Sequence, residues 1–132
     1  MDLRTGKRVF LARPHSKQED FQAFLKLIHQ RYRGREIALL LDEHRSHTAA
    51  RSRRLADDLR IRLLWLPHRA PDLNPMDELW GQAKDITSAN LQYPTIEAHV
   101  TDFIAYLESR SNWEARHTAG TLSKHFWLKS VL

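Results

Sequence analysis

Residues 36–41, "EIALLL", run straight into "DEHRSH" at 42–47. The first run is apolar at nearly every position, which suits a parallel strand covered on both faces better than an antiparallel strand with one wet face. Working outward, Ser16 followed three residues later by Glu19 reads as a capping box that opens a helix. Phe21, Phe24, Leu25, Ile28 and Tyr32 then recur at helical spacing until Gly34 ends it. Before that helix, "KRVFLA" at 7–12 has the β-branched and aromatic content of a strand. After the apolar run, "SHTAARSRRLADDL" at 46–59 places Ala49, Ser52, Leu55 and Leu59 on one helical face, and "IRLLWLP" at 61–67 supplies a further strand stopped by Pro67. A proline-rich loop follows, then helices over about 75–87 and 95–110, and one or two short ones to the end. The second of these carries Ile96, Val100, Phe103 and Leu107 on one stripe. The expected class is α/β, with about three largely parallel strands followed by C-terminal helices.

A chain of 132 residues, 42% hydrophobic and 28% charged, is expected to form a single domain over 1–132 with a core of its own, the α/β part at about 7–87 and a helical tail at about 95–132. The chain has no cysteine, which excludes disulfides and thiolate metal sites and fits a reducing compartment. Its apolar runs are too short to span a bilayer, and "MDLRTGKRVF" lacks the apolar core of a signal peptide, so no membrane partner and a cytoplasmic location are expected. A formal charge of +5 favours polyanionic partners through phosphate neutralisation and counterion release.

Ligands gather beyond the carboxyl ends of strands in a parallel sheet, and Asp42 follows the last residue of the most apolar strand. A carboxylate leaving such a run either caps the next turn or binds a cation whose charge offsets its desolvation. A second acidic position lies in "LPHRAPDLNPMDELW", residues 66–80. There Asn74 suits an N-cap and Pro75 a first helical position. Asp77 stands where an acid stabilises exposed N–H groups by about 0.3 to 1 kcal/mol, so it is readable as a helix-start residue alone. Against that, Asp42 and Asp77 occupy the same kind of place, at element ends, and 34 residues separate them. Glu78 is the rival for the second position, because helical geometry about the Met76, Leu79, Trp80 and Ala83 stripe barely separates it from Asp77.

In these features the chain resembles the DDE transposases of the mariner type and of related bacterial insertion sequences, whose catalytic domain is RNase H-like. "LLLDEHRSH" matches the family's second acid, which ends a strand and is followed by a histidine, here Asp42 and His47. "APDLNPMDELW" matches the motif of the third acid, here Asp77, and the interval is the family's own. The resemblance is strongest over residues 36–84. It implies a transposase catalytic-domain component that cleaves DNA and transfers strands with Mg²⁺ or Mn²⁺, held by Asp42 and Asp77, with Glu78 the alternative, and it implies transposon-end DNA as partner. The family's first acid belongs to an upstream strand with no counterpart here. Asp2, the only acid ahead of Glu19, precedes any strand. The expectation is therefore an N-terminally truncated RNase H-like core, incomplete alone, whose first acid comes from an upstream transposase segment, or whose open sheet edge is closed by a second copy in a homodimer. The alternative is a non-catalytic DNA-binding or accessory remnant; a third reading is an unrelated Mg²⁺ phosphohydrolase built on Asp42.

Arg45, His47, Arg51, Arg54, His68 and Arg69 are candidate DNA contacts, while the different directions of Arg51, Arg53 and Arg54 around one helix assign part of that set to a solvated face. His44, His47 and His68 lack zinc-ligand spacing and read as polar loop residues. Trp65 and Trp80 read as core, and Trp113 and Trp127 as packing rather than base-stacking residues.

Overall fold

The computed structural model describes residues 1–88 and 92–132. They form two compact units, one spanning Leu11–Asn74, the other built from Met1–Phe10 with Pro75–Leu132.

In the Leu11–Asn74 unit, helix α1 (Gln18–Arg31) begins one residue later than the Ser16–Glu19 box would have it. Lys17 is the N-cap, and its N–H donates to Asp20 Oδ2 at 3.0 Å. The helix ends where Gly34 takes a left-handed φ of +77°. Strand β1 (Ile37–Leu41) pairs in parallel with β2 (Ile61–Trp65), Ile37 opposite Ile61 through Leu41 opposite Trp65. The single helix expected between them is broken. Ala49, at ψ 137°, divides α2 (Arg45–Thr48) from α3 (Ala50–Asp58). The break is stabilised locally, because the Ser52 hydroxyl donates to the Ser46 carbonyl that α2 leaves open, at 2.8 Å. Helix α1 packs on α2 and α3, and α3 packs on β2. Leu25, Ile28, Leu41, Ala56 and Ile61 are buried.

The parallel α/β class holds, but in two respects the sheet differs from expectation. Its second face is only partly covered by the described residues: Ala38 and Arg62 are exposed and Leu64 keeps 40% of its surface. Residues 7–12 are not a strand, and β1 pairs with β2 alone among the described residues. That segment is claimed by the other unit, where Phe10 packs against a helical core and the Arg8 guanidinium donates to the carbonyls of Gly6 and Arg110. Gly6 fixes its path. It has φ +79°, and a Cβ there would stand 2.3 Å from the Asn112 carbonyl oxygen.

The second unit holds α4 (Asp77–Ser88), α5 (Ile96–Ser109) and α6 (Asn112–Thr118), with α4 packed on α5 and α6. Leu79, Ala83, Leu107 and Ala115 form its buried cluster, ringed by Met1, Phe10, Met76, Phe103 and Tyr106. The Thr95 hydroxyl caps α5, accepting from Ala98 N–H at 3.1 Å. A capping box opens α6, with Ser111 N–H on Glu114 Oε2 at 2.8 Å and Glu114 N–H on Ser111 Oγ at 3.1 Å. These bonds, the Ser111 backbone first, hold the Glu114 carboxyl below the usual range. The α5 stripe is only half used: Leu107 is fully buried, but Ile96 is 77% exposed.

The tryptophans depart from the core reading. Trp65 and Trp80 each keep over a third of their surface, with Trp80 stacked on Phe103 at 5.1 Å. Trp127 is 45% exposed and Trp113 62%. Trp113 lies about 200° around α6 from the buried Ala115, so it faces outward, against the His117 ring. No helix among the described residues is long and apolar enough to cross a membrane.

Leu107→Ala is expected to cost about 2–5 kcal/mol, because the surrounding cluster cannot fully collapse, whereas Ile96→Ala should stay within about 0.5 kcal/mol. Thermal or urea melts of the two variants check this; equal losses would show that the upper half of the α5 stripe is packed after all.

Candidate active site

The carboxyl end of β1 is held closely. Leu66 N–H donates to the Leu41 carbonyl at 2.8 Å, which extends the strand pairing one step past β2, and Asp42 is the next residue. Its side chain is 70% exposed, and its polar contacts fall on Oδ1. His44 N–H donates to it at 3.3 Å, and His47 Nδ1, which is hydrogen-bonded to the Asp42 carbonyl oxygen at 3.0 Å, stands 2.9 Å away. Asp42 therefore does cap the following turn, with one oxygen. Oδ2 receives no hydrogen bond from the described residues.

Around it the short α2 is tied down by side chains. His44 is its N-cap, and the ring Nδ1 accepts from Ser46 N–H at 3.3 Å and stands 2.7 Å from Ser46 Oγ. Ser46 is buried; its carbonyl takes the Ser52 hydroxyl, and Ser52 Oγ accepts from Gln22 Nε2 at 3.4 Å. His47 is three-quarters buried and lies against Phe21 of α1, ring centres 4.5 Å apart. Of these, Ser46, Ser52, Gln22 and Phe21 carry no local sequence signal for this role. Phe21 reads as part of the α1 stripe, and Ser52 as one of a helical face with Ala49, Leu55 and Leu59.

Arg45, Arg51 and Arg54 are exposed on α2 and α3, and His68 and Arg69 are exposed in the loop after β2. None of the four arginines is ion-paired among the described residues. Arg69 is strained, with φ +58° in a turn closed by Ala70 N–H on the Pro67 carbonyl at 3.2 Å.

Asp77 and Glu78 belong to the other unit and open α4, which starts at Asp77, two residues later than Pro75; Pro75 and Met76 form a turn, and Trp80 N–H bonds the Met76 carbonyl at 2.8 Å. Both acids are exposed, and neither carboxylate is engaged by a described residue. Asp77 thus makes no capping hydrogen bond of its own. Asp2, by contrast, is spent on its own turn, accepting from Arg4 N–H at 2.9 Å and Thr5 N–H at 3.2 Å.

A family profile described as DDE superfamily endonuclease matches residues 1–99. The chain belongs to the DDE superfamily endonuclease family. That membership carries a nuclease or transposase type of activity, DNA as the class of substrate and a general use of divalent metal ions. The match takes in both acidic motifs and α1 through the start of α5, and stops short of α6. No curated protein and no solved structure matches the chain. Among the described residues, no three His, Asp or Glu side chains are gathered as a metal cluster.

Arg69→Gly separates fold from function. Glycine takes the left-handed conformation without penalty, so the variant should be more stable by up to about 1 kcal/mol, while removing a cation from the motif loop should weaken DNA retention. A melting temperature that falls would show that the Arg69 side chain holds the turn.

Proposed function

We propose that this chain is a catalytic-domain component of a DNA transposase, in which Asp42 and Asp77 are two carboxylates of a divalent-ion site for phosphodiester cleavage and strand transfer. The observation that carries the reading is the Asp42 carboxylate, delivered by the end of a parallel strand and held through one oxygen so that the other stays free. The donor set fits the ion. Mg²⁺ and Mn²⁺ take oxygen ligands, and Mg²⁺ is typically held by one or two carboxylates together with phosphate oxygens and water. Asp42, with Asp77 preferred to Glu78, would supply those carboxylates. When bound, divalent ions in such enzymes activate the attacking hydroxyl and neutralise the leaving oxygen. This chain's own contribution is to fix Asp42 at the sheet's carboxyl edge and to offer Arg45, Arg51, Arg54, His68 and Arg69 to the phosphate backbone, with His47 in reach of the same edge.

The reading also holds that the chain works in a larger assembly. With Asp2 bonded within its own turn, the first acid comes from a transposase segment outside this sequence, or the chain acts as a homodimer; in either case the outer edge of β1 is the place for a further strand. The two units act as one domain in this scheme, in the cytoplasm and on the nucleoid.

The isolated chain should retard duplex DNA with little sequence preference. Arg51→Glu with Arg54→Glu should weaken that binding and lower its salt dependence, by about one unit of slope for each phosphate no longer neutralised. With Mg²⁺ or Mn²⁺ it should not nick supercoiled plasmid, since one missing carboxylate leaves the charge stabilisation of the reaction incomplete. Metal-dependent nicking that Asp42→Ala removes would show a complete acid set in this chain. Absence of DNA binding would remove the proposed function.

A further inference from the structure

We infer that His47 is a positioning residue for Asp42: its Nδ1–H clamps Oδ1 and thereby turns Oδ2 outward to the ligand. This rests on the reading of Asp42 as a metal-binding carboxylate, and it moves His47 from the DNA contacts to the interior of the site.

Three observations carry it. First, the neighbours assign the tautomer. His47 Nδ1 stands 2.9 Å from Asp42 Oδ1 and 3.0 Å from the Asp42 carbonyl oxygen, and both are acceptors. Nδ1 must therefore carry the hydrogen, shared between the side chain and the main chain of one residue. Second, the adjacent histidine is set the other way. His44 Nδ1 receives the Ser46 N–H, so His44 carries no hydrogen there and is occupied as the cap of α2. The two rings, 5.6 Å apart, have different duties, and only His47 addresses the carboxylate through its side chain. Third, the His47 ring is three-quarters buried and packed on Phe21, on a turn whose Ser46 and Ser52 are buried and hydrogen-bonded to one another.

The arrangement has a clear physical use. An exposed aspartate has freely exchanging rotamers, and ordering it on ligand binding costs entropy. A donor fixed by packing removes that cost in advance and chooses which oxygen is left free. Partners that orient a liganding group in this way typically affect metal affinity by about 10-fold or more.

The test uses the whole chain and three variants. Asn places an amide N–H near the position of Nδ1, whereas Gln places one near Nε2, so His47→Asn should preserve the clamp and His47→Gln and His47→Ala should not. At about pH 8.5, above the ordinary imidazole range, nitrogen-15 shifts of the His47 ring should report the Nδ1–H tautomer in the parent chain and its disappearance in Asp42→Ala. Scalar couplings should show one Asp42 χ1 rotamer in the parent chain and in His47→Asn, and averaged rotamers in His47→Ala and His47→Gln. With Mn²⁺ alone as probe, His47→Ala and His47→Gln should bind about 10-fold or more weakly, and His47→Asn close to the parent. An Nε2–H tautomer, an Asp42 rotamer indifferent to His47, or equal Mn²⁺ affinities in all four proteins would overturn the inference. If the rotamer results hold and the parent chain takes up no Mn²⁺, the clamp stands and the metal reading of Asp42 fails.

Discussion

Everything proposed for this chain depends on one short parallel pairing, β1 with β2, extended by the hydrogen bond from Leu66 to the Leu41 carbonyl. Parallel strands cannot be joined by a tight turn, so the chain must cross over, and α2 and α3 are that crossover. The crossover begins at the residue after Leu41. A carboxylate placed there stands on a backbone whose position is fixed by interstrand bonds, while its side chain lies beyond the edge of the sheet, in solvent. Rigid support and an accessible head group are what a cation ligand needs.

Local polar chemistry then finishes what the strands begin. The break at Ala49, the His44 cap, the Ser52 bond to the Ser46 carbonyl and the His47 bond to Asp42 make one connected turn. Three of its hydrogen bonds, to the Asp42 and Ser46 carbonyls and from Ser46 N–H, satisfy backbone groups that the end of the strand or of the short helix had left open. The other unit depends on close approach instead. Ala83 and Ala115 are fully buried beside Leu79 and Leu107, and Gly6 lies against the start of α6 at a distance no side chain would allow.

Much of this was legible in the residues because the signals are local. A continuous apolar run, "EIALLL", marked a parallel strand, Gly34 marked a helix end, and Leu79 and Ala83 marked the inner face of α4. The strand at 7–12 misled for a physical reason. Val9 and Phe10 have strand propensity, but Phe10 is more useful in the helical core than in the sheet, and propensity yields to packing. Coverage of both sheet faces could not be read either, since an apolar strand carries no record of which elements are there to cover it. Asp42 and Asp77 stood out as candidates from their placement at element ends. The contacts of His44 and His47 were not legible, because both use Nδ1, one accepting from a backbone N–H and the other facing an oxygen of Asp42, and sequence does not distinguish the two. Arg69 gave no sign of its left-handed backbone, a conformation that usually announces itself through glycine or asparagine.

The central claim, that Asp42 and Asp77 serve the same divalent ion, is tested most directly by calorimetric titration of the chain with Mn²⁺. The account predicts weak binding that Asp42→Ala abolishes and that Asp77→Ala reduces more than Glu78→Ala does. Binding that survives Asp42→Ala, or that suffers as much from Glu78→Ala as from Asp77→Ala, would contradict it.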